Sequence, residues 1–228
     1  MINQDGMVWV PEGTFTMGSD LFDIEGPIRQ VHVDGFWIDR LPVTHRQFHD
    51  YVQQTGAPVL PDWPDGGPAA DIADHPVERV TWAQAREYAA WCGKRLPTEA
   101  EWEKAARGAD AREWPWGPTL VEENSNVWDS AKPSNVMTLP NAVRPGNVSP
   151  YGVIDMSGNV EEWVEDLFLP YVSGQADYPS TQGNCRVLRG GSWFYTSEMA
   201  RCSFRRGALP NFSGYERAGG PGFRCAKS

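Results

Sequence analysis

Between Val8 and Gly18 the chain reads VWVPEGTFTMG, with apolar and small residues alternating on either side of Pro11-Glu12-Gly13. Alternation with a period of two marks a half-buried strand, and the Pro-Glu-Gly step marks a tight turn, so the segment predicts a strand pair. VHVDGFWIDRLPVT, residues 31–44, predicts another strand with an aromatic inner face. The period then lengthens. Thr44-His-Arg-Gln47, Thr81-Trp-Ala-Gln84 and Thr98-Glu-Ala-Glu101 each match a capping box. In that motif the Thr hydroxyl accepts from the third helical N–H while the Gln or Glu side chain reaches back. Behind the first box, Phe48, Tyr51 and Val52 share a face before Gly56. Behind the second, Ala85, Tyr88, Ala89 and Cys92 share a face before Gly93, and behind the third, Trp102 and Ala105–Ala106 precede Gly108.

The pattern lapses in PVLPDWPDGGPAADIADHP (58–76), which is too rich in Pro, Gly and Asp for regular structure and is expected to be a surface insertion. From 109 onward long loops carry short aromatic segments and end in strand-like RVLRGGSW (186–193) and GFRCA (222–226). Two to three helices followed by irregular, Gly-rich β structure predict an α+β fold in one domain over residues 1–228. The 11 Trp, 23 Gly and 19 Pro point the same way, to a loop-rich body with an aromatic core.

Charge narrows the partners. A formal net charge of -10 argues against a nucleic-acid or anionic membrane surface, both of which need clustered Lys and Arg. No window approaches the 18 or more apolar residues of a membrane span. MINQDGMVWV shows no basic segment followed by an apolar run, so the expected location is the cytoplasm. Cys92, Cys185, Cys202 and Cys225 form no C-x-x-C, which argues against zinc or thioredoxin-like chemistry and leaves free thiols as the simple expectation. His45 and His49 are four residues apart on the first helix but lack the Glu of H-E-x-x-H, and are expected at the surface. Ser192 has no indicated His or Asp partner and is expected to pin a turn. Arg189, Arg201, Arg205 and Arg224 would either bind an acidic ligand or bridge buried carbonyls and carboxylates such as Glu101 or Glu162.

One family carries these segments in this order. MVWVPEGTFTMGSD, EGPIRQVHVDGFWIDRLPVTHRQFHDYV, HPVERVTWAQAREYAAWCGKRLPTEAEWEKAARG, WPWG, SPYGVIDMSGNVEEWVED, RVLRGGSW and GFRC together span nearly the whole chain. They resemble the sulfatase-modifying-factor family, the formylglycine-generating enzyme group, whose fold is a variant of the C-type lectin fold. The resemblance implies a structural calcium held by Asp155, the carbonyls of Gly158 and Val160, and Glu162. Two carboxylates with carbonyls suit a hard cation. It also implies a second calcium beginning at Asn126 and the carbonyl of Val127. The loop that would complete it, DSAKPSNVMTLP, does not align clearly.

The same resemblance removes the family's chemistry. Formylglycine-generating enzymes bind Cu(I) through two cysteines after GGS, because Cu(I) prefers thiolates. Here Tyr195 and Ala200 stand at the nominal thiol positions, and residues 186–201 contain no cysteine, so no copper is expected. Cys202 and Cys225 match structural cysteines of the family whose partner positions are Ala106 and Ala89. A Cys92–Cys225 bridge is left open, because Cys92 lies nearly one turn beyond Ala89. Glu161 replaces the tryptophan usual in the family and would either make the pocket acidic or sit as a solvated loop carboxylate.

Three functions follow. The first is a non-oxidase scaffold that binds a protein, peptide or small molecule, either an inactive paralogue or a variable display protein. Its surface would be residues 189–224, with Glu161, Trp193, Phe194, Tyr195 and Arg205 as contacts. FYTSEMARCSFRRGALPNFSGYERAGGPGFR is rich in Tyr, Phe, Ser, Gly and Asn, and about four extra residues lie between Pro210 and Gly222. The second is a divergent enzyme that modifies a peptide or small molecule, for which no catalytic residue can be named. The last is authentic formylglycine generation.

Overall fold

The computed structural model describes residues 2–3, 5–130, 137–172, 183–214 and 219–228. The elements in order are β1 (Met7–Val10), β2 (Gly13–Met17), β3 (Arg29–Val33), β4 (Phe36–Asp39), α1 (His45–Thr55), α2 (Trp82–Trp91), α3 (Glu99–Arg107), β5 (Glu162–Leu167), β6 (Arg186–Arg189), β7 (Arg205–Ala208) and β8 (Ala226–Lys227). All three capping boxes form, on Thr44, Thr81 and Thr98. Helix α1 stops where Gly56 turns left-handed at φ 72°, a conformation that costs a glycine little.

Among the described residues the strands make three small antiparallel sheets, ordered β1-β4-β8, β2-β3 and β5-β6-β7. The strands expected around Pro11-Glu12-Gly13 do form, but they do not pair with each other. Strand β1 pairs with β4, Met7 opposite Asp39, and β2 pairs with β3, Gly13 opposite Val33. Alternation states which side chains face inward and is silent on which strand supplies the partner. The expected single strand over 31–44 is likewise two strands, parted at Asp34-Gly35. Gly35 lies so close to the Trp9 ring that an added Cβ would come within 2.5 Å of it, and Trp9 in turn packs on Trp37 across the β1–β4 pair at 5.3 Å.

Two large apolar clusters and a small one, Trp114 with Val127 and Ala200, form the core. One gathers Val8, Phe15, Phe36, Trp102 and Val187 between α3 and the sheets. The other gathers Phe48, Tyr51, Tyr88, Trp163 and Phe223 around α1 and α2. The 58–76 segment is more than a surface insertion, because Leu60 and Trp63 are buried in this second cluster. Trp63 packs edge-on against Phe48 at 6.1 Å.

Between α3 and the carboxy-terminal strands lies a layer of buried ion pairs. Glu99 accepts from Arg205 Nε at 2.7 Å and Nη2 at 3.0 Å, and from the Tyr171 hydroxyl at 2.9 Å. Glu103 accepts from Arg107 at 2.7 Å, from the Gly18 N–H at 2.8 Å and from Arg189. Glu25 takes both arms of Arg201 and the Ser203 hydroxyl. Removing one partner of such a pair leaves an uncompensated buried charge. Glu99→Ala is therefore expected to cost about 3–5 kcal/mol, read as a lower urea midpoint. Arg46→Ala, which breaks the exposed pair with Asp74, should leave the midpoint in place.

Candidate functional site

Strand β6 ends at Arg189 because the next two residues, Gly190 and Gly191, have φ 87° and 65°. A Cβ at Gly191 would lie 2.5 Å from the Met199 carbonyl oxygen, so the turn accepts no side chain there. The Tyr195 N–H donates to the Ser192 carbonyl at 3.0 Å and the Phe194 N–H reaches the Ser192 hydroxyl at 3.4 Å. This turn presents an aromatic run. Trp193 is buried, Phe194 is 40% exposed and Tyr195 is half-buried, with successive rings edge-on at 5.9 Å. The Trp128 N–H donates to the Tyr195 carbonyl at 2.9 Å, and the Trp128 ring is exposed beside it.

Beneath Tyr195 sits Arg206, its guanidinium 5.6 Å from the Tyr195 ring and 5.4 Å from that of Phe212. Arg206 forms a two-armed ion pair with Glu161. Glu161 is thus neither a solvated loop carboxylate nor an acidic wall; it is 3% exposed and neutralised by a guanidinium. Arg205 also departs from expectation. It turns away from the aromatic run and is 2% exposed against Glu99. Successive residues of a strand point to opposite faces, so in β7 Arg205 goes to the core and Arg206 to the groove. Arg189, Arg201 and Arg224 are buried against Glu103, Glu25 and Glu162, which is the bridging role and not an anion-binding surface.

Arg206, Phe212, Trp128 and Glu78 also meet this run and were not among the expected residues. The Arg205-Arg206 pair in a strand carried the signal for the first, and nothing local marked Phe212. Glu78 receives a long contact, 3.5 Å, from the Trp193 indole N–H, and burial pushes its carboxyl up while the Arg79 guanidinium opposes this. Residues 215–218, within the expected extra loop, lie outside the described residues.

No thiol reaches this groove. Ala200 is fully buried with Trp114 and Val127, and Tyr195 carries a phenol. Cys202 is fully buried, and burial pushes its thiol up to about 12. Burial raises Cys225 well above the ordinary thiol range as well. All four cysteines are free. The donor set for Cu(I) is missing from the segment where the family places it.

The residues expected to hold calcium are close together. Asp155 and Glu162 are 4% and 1% exposed. Burial pushes the Asp155 carboxyl up to about 6, and the nearby Glu162 charge adds to the rise. Asp155 accepts from the Ala142 N–H at 2.7 Å. Glu162 accepts from Arg224 at 2.7 and 2.8 Å and from the Trp102 indole at 2.8 Å. The Gly158 carbonyl accepts from the Val160 N–H at 3.0 Å, while the Val160 carbonyl accepts no hydrogen bond among the described residues. Both Glu162 oxygens are thus engaged, and no three His, Cys, Asp or Glu side chains cluster among the described residues. The second set fits less well. The Val127 carbonyl already accepts from the Ser130 N–H and hydroxyl, and Asn126 donates to Asn159 Oδ1 at 3.0 Å. Residues 131–136 of its completing loop lie outside the described residues.

Three helices and small antiparallel sheets define a C-type-lectin-like fold. The family model for the sulfatase-modifying factor enzyme 1-like domain matches residues 2–228, and the chain belongs to that family. It is 35% identical to the formylglycine-generating enzyme of Thermomonospora curvata over 97% of this chain and 93% of that one. It is 33% identical to the inactive C-alpha-formylglycine-generating enzyme 2 of Bos taurus, over 96% of this chain and 87% of the other. The structure of PvdO from Pseudomonas aeruginosa superposes with a TM-score of 0.78 at 27% identity, over 97% and 94% of the two chains. The family therefore includes active enzymes, inactive paralogues and divergent relatives. Among the described residues no helix is long and apolar enough to cross a membrane.

His45 and His49 are not a surface pair. His45 is 2% exposed and its Nδ1 accepts from the Trp63 indole at 3.0 Å, while the His49 ring meets Trp63 edge-on at 5.5 Å. The cause is the 58–76 segment, which folds back over α1. Burial first, then the charges of His75 and Arg79, lower His45 to about 4. A group with a depressed folded-state value contributes stability above its unfolded value of 6.5 and loses it as pH falls toward 4. Between pH 7 and pH 4 the protein is expected to lose about 3 kcal/mol through His45. Urea titrations at the two pH values should show a loss smaller by about that amount in His45→Gln, whose amide still accepts from Trp63.

Proposed function

We propose that this protein is a binding member of its family that does not oxidise thiols, and that its ligand lies on the 189–224 surface. The observation that carries this reading is the composition of the groove wall: Trp193, Phe194 and Tyr195, backed by the Arg206–Glu161 pair, follow the glycine turn where the family's copper thiols belong. Rigid aromatics above a neutralised ion pair offer contact area at low entropic cost and suit a peptide or protein segment. Similarity to an inactive paralogue supports the same reading. Incubation of the purified protein with Cu(I), oxygen and a C-x-P-x-R peptide should leave the substrate thiol intact by mass spectrometry. Turnover sinks the proposal, as does a transition metal ordered against Trp193 and Tyr195 in soaked crystals. Loss of the thiol without metal would favour the divergent modifying enzyme.

Calcium belongs to the same proposal as a structural ion, with Asp155, Glu162 and the carbonyls of Gly158 and Val160 as its holders. Its charge would add to that of Arg224, which with the Trp102 indole already meets Glu162, and would offset the buried charge of Asp155. A ligand at about a hundred times its Kd stabilises the folded state by about 2.7 kcal/mol, so added calcium should raise the melting temperature by several degrees. Asp155 sits at φ 58°, which asparagine tolerates, so Asp155→Asn should fold and lose most of that rise. An equal rise in the variant, or none in the parent, removes calcium from this site.

A further inference from the structure

Away from the aromatic groove, and sharing no residue with it, lies a pocket of about 290 Å3. It opens between the end of β4, the start of α1 and the turn after α2. Its lining includes the apolar Leu41, Val43 and Tyr88 and the charged Arg40, Lys94 and Asp39. Lys94 Nζ donates to Asp39 Oδ1 at 2.7 Å, and the other Asp39 oxygen accepts from the Cys225 N–H at 2.9 Å. Asp39 is therefore satisfied and neutralised, and two further N–H groups of the ammonium have no protein acceptor among the described residues.

Arg40 is the unusual group. Among the described residues every other arginine meets a carboxylate, a carbonyl, a thioether or a ring, and Arg40 meets none of these with its guanidinium. Its main chain is nonetheless held firmly. The Arg40 N–H donates to the Gly6 carbonyl at 3.2 Å, and the Arg40 carbonyl accepts from the Ile154 N–H at 2.9 Å and from Arg224 at 3.2 Å. Arg40 thus lines the pocket on a fixed backbone, its guanidinium meeting no acceptor among the described residues, together with an ammonium that has one of its three N–H groups engaged.

We infer that this pocket binds a small organic carboxylate with a short branched apolar arm. The carboxylate would take the Arg40 fork, for which its two oxygens match the guanidinium geometry, with Lys94 adding charge. The arm would lie on Val43, Leu41 and Tyr88. The volume is at the low end for ligand sites, which restricts the occupant to a small metabolite. Asp5, exposed on the lining, disfavours a second negative charge and so argues for a monoacid over a polyacid.

The test is isothermal titration of the full chain with 4-methylpentanoate, with uncharged 4-methylpentanamide and inorganic phosphate as comparators. The acid should bind, the amide should bind at least about tenfold more weakly, and phosphate should not displace the acid. Arg40→Gln should weaken the acid by about tenfold or more without moving the melting temperature. In case that variant fails to fold, backbone amide shifts in the parent should concentrate at residues 40–44 and 94 on addition of the acid. The inference is overturned by equal binding of acid and amide, by an unaltered Arg40→Gln titration, by shifts elsewhere, or by no binding at about 10 mM. Displacement by phosphate would mark an adventitious anion only, and would overturn it equally. None of these outcomes depends on the groove or on calcium, so either reading can fail alone.

Discussion

Charged side chains buried between α3 and the carboxy-terminal strands take over the work that long β-ladders do in other folds. Most of this chain is loop, and loops leave carbonyl groups that must find donors once water is excluded. Lys104 donates to the carbonyls of Pro11, Gly13 and Val33. Arg224 donates to those of Asp39, Arg40, Ile154 and Asp155 while paired with Glu162. Arg107 donates to those of Gly18, Ala111 and Arg112 while paired with Glu103. Each guanidinium thus closes several loop ends and has its own charge cancelled by a carboxylate from α3 or β5. Desolvation makes such pairs a poor source of net stability, but a missing partner is costly, so the arrangement selects one loop geometry over others.

That layer also shapes the groove. With Arg205 drawn under the sheet by Glu99, the alternation of β7 sends Arg206 to the opposite face, where Glu161 neutralises it and Tyr195 and Phe212 flank it. The two glycines after Arg189 then reverse the chain so that Trp193 to Tyr195 cover this pair. The family's oxidative chemistry needs sulfur in the same place. Here one nominal thiol position is a phenol at the groove and the other, Ala200, is part of the core. A shared fold with relatives named as an active enzyme and as an inactive one leaves function to the site. Neither nominal thiol position carries a cysteine.

The pocket beside Arg40 has a different origin. It arises where the β4 end, the α1 start and the α2 turn meet, three segments held by Asp39, Lys94 and the Cys225 N–H. Nothing in the periodicity of any one segment foretells it, because it joins residues 39–47 to Tyr88 and Lys94, more than 40 residues further along the chain.

What the sequence determined by itself was whatever depends on near neighbours. Thr44, Thr81 and Thr98 start helices because their hydroxyls reach N–H groups three residues on. Gly56 and Gly108 end them, and Gly190-Gly191 turn the chain after β6, because left-handed backbone favours a residue without Cβ. The order of motifs identified the fold, and the absence of cysteine from 186–201 was visible at once. Tertiary structure decided everything that needs a distant partner. It paired β1 with β4 and β2 with β3, laid Trp63 over His45 and His49, and chose bridging of buried carboxylates over ligand binding for Arg189, Arg201 and Arg224. It chose Arg206 over Arg205 for the groove and turned Glu161 from an acidic wall into half of a neutral pair. The physical reason is common to all of these: the energy of a buried charge or an unpaired strand edge depends on what the rest of the chain brings to it, and local sequence carries no record of that.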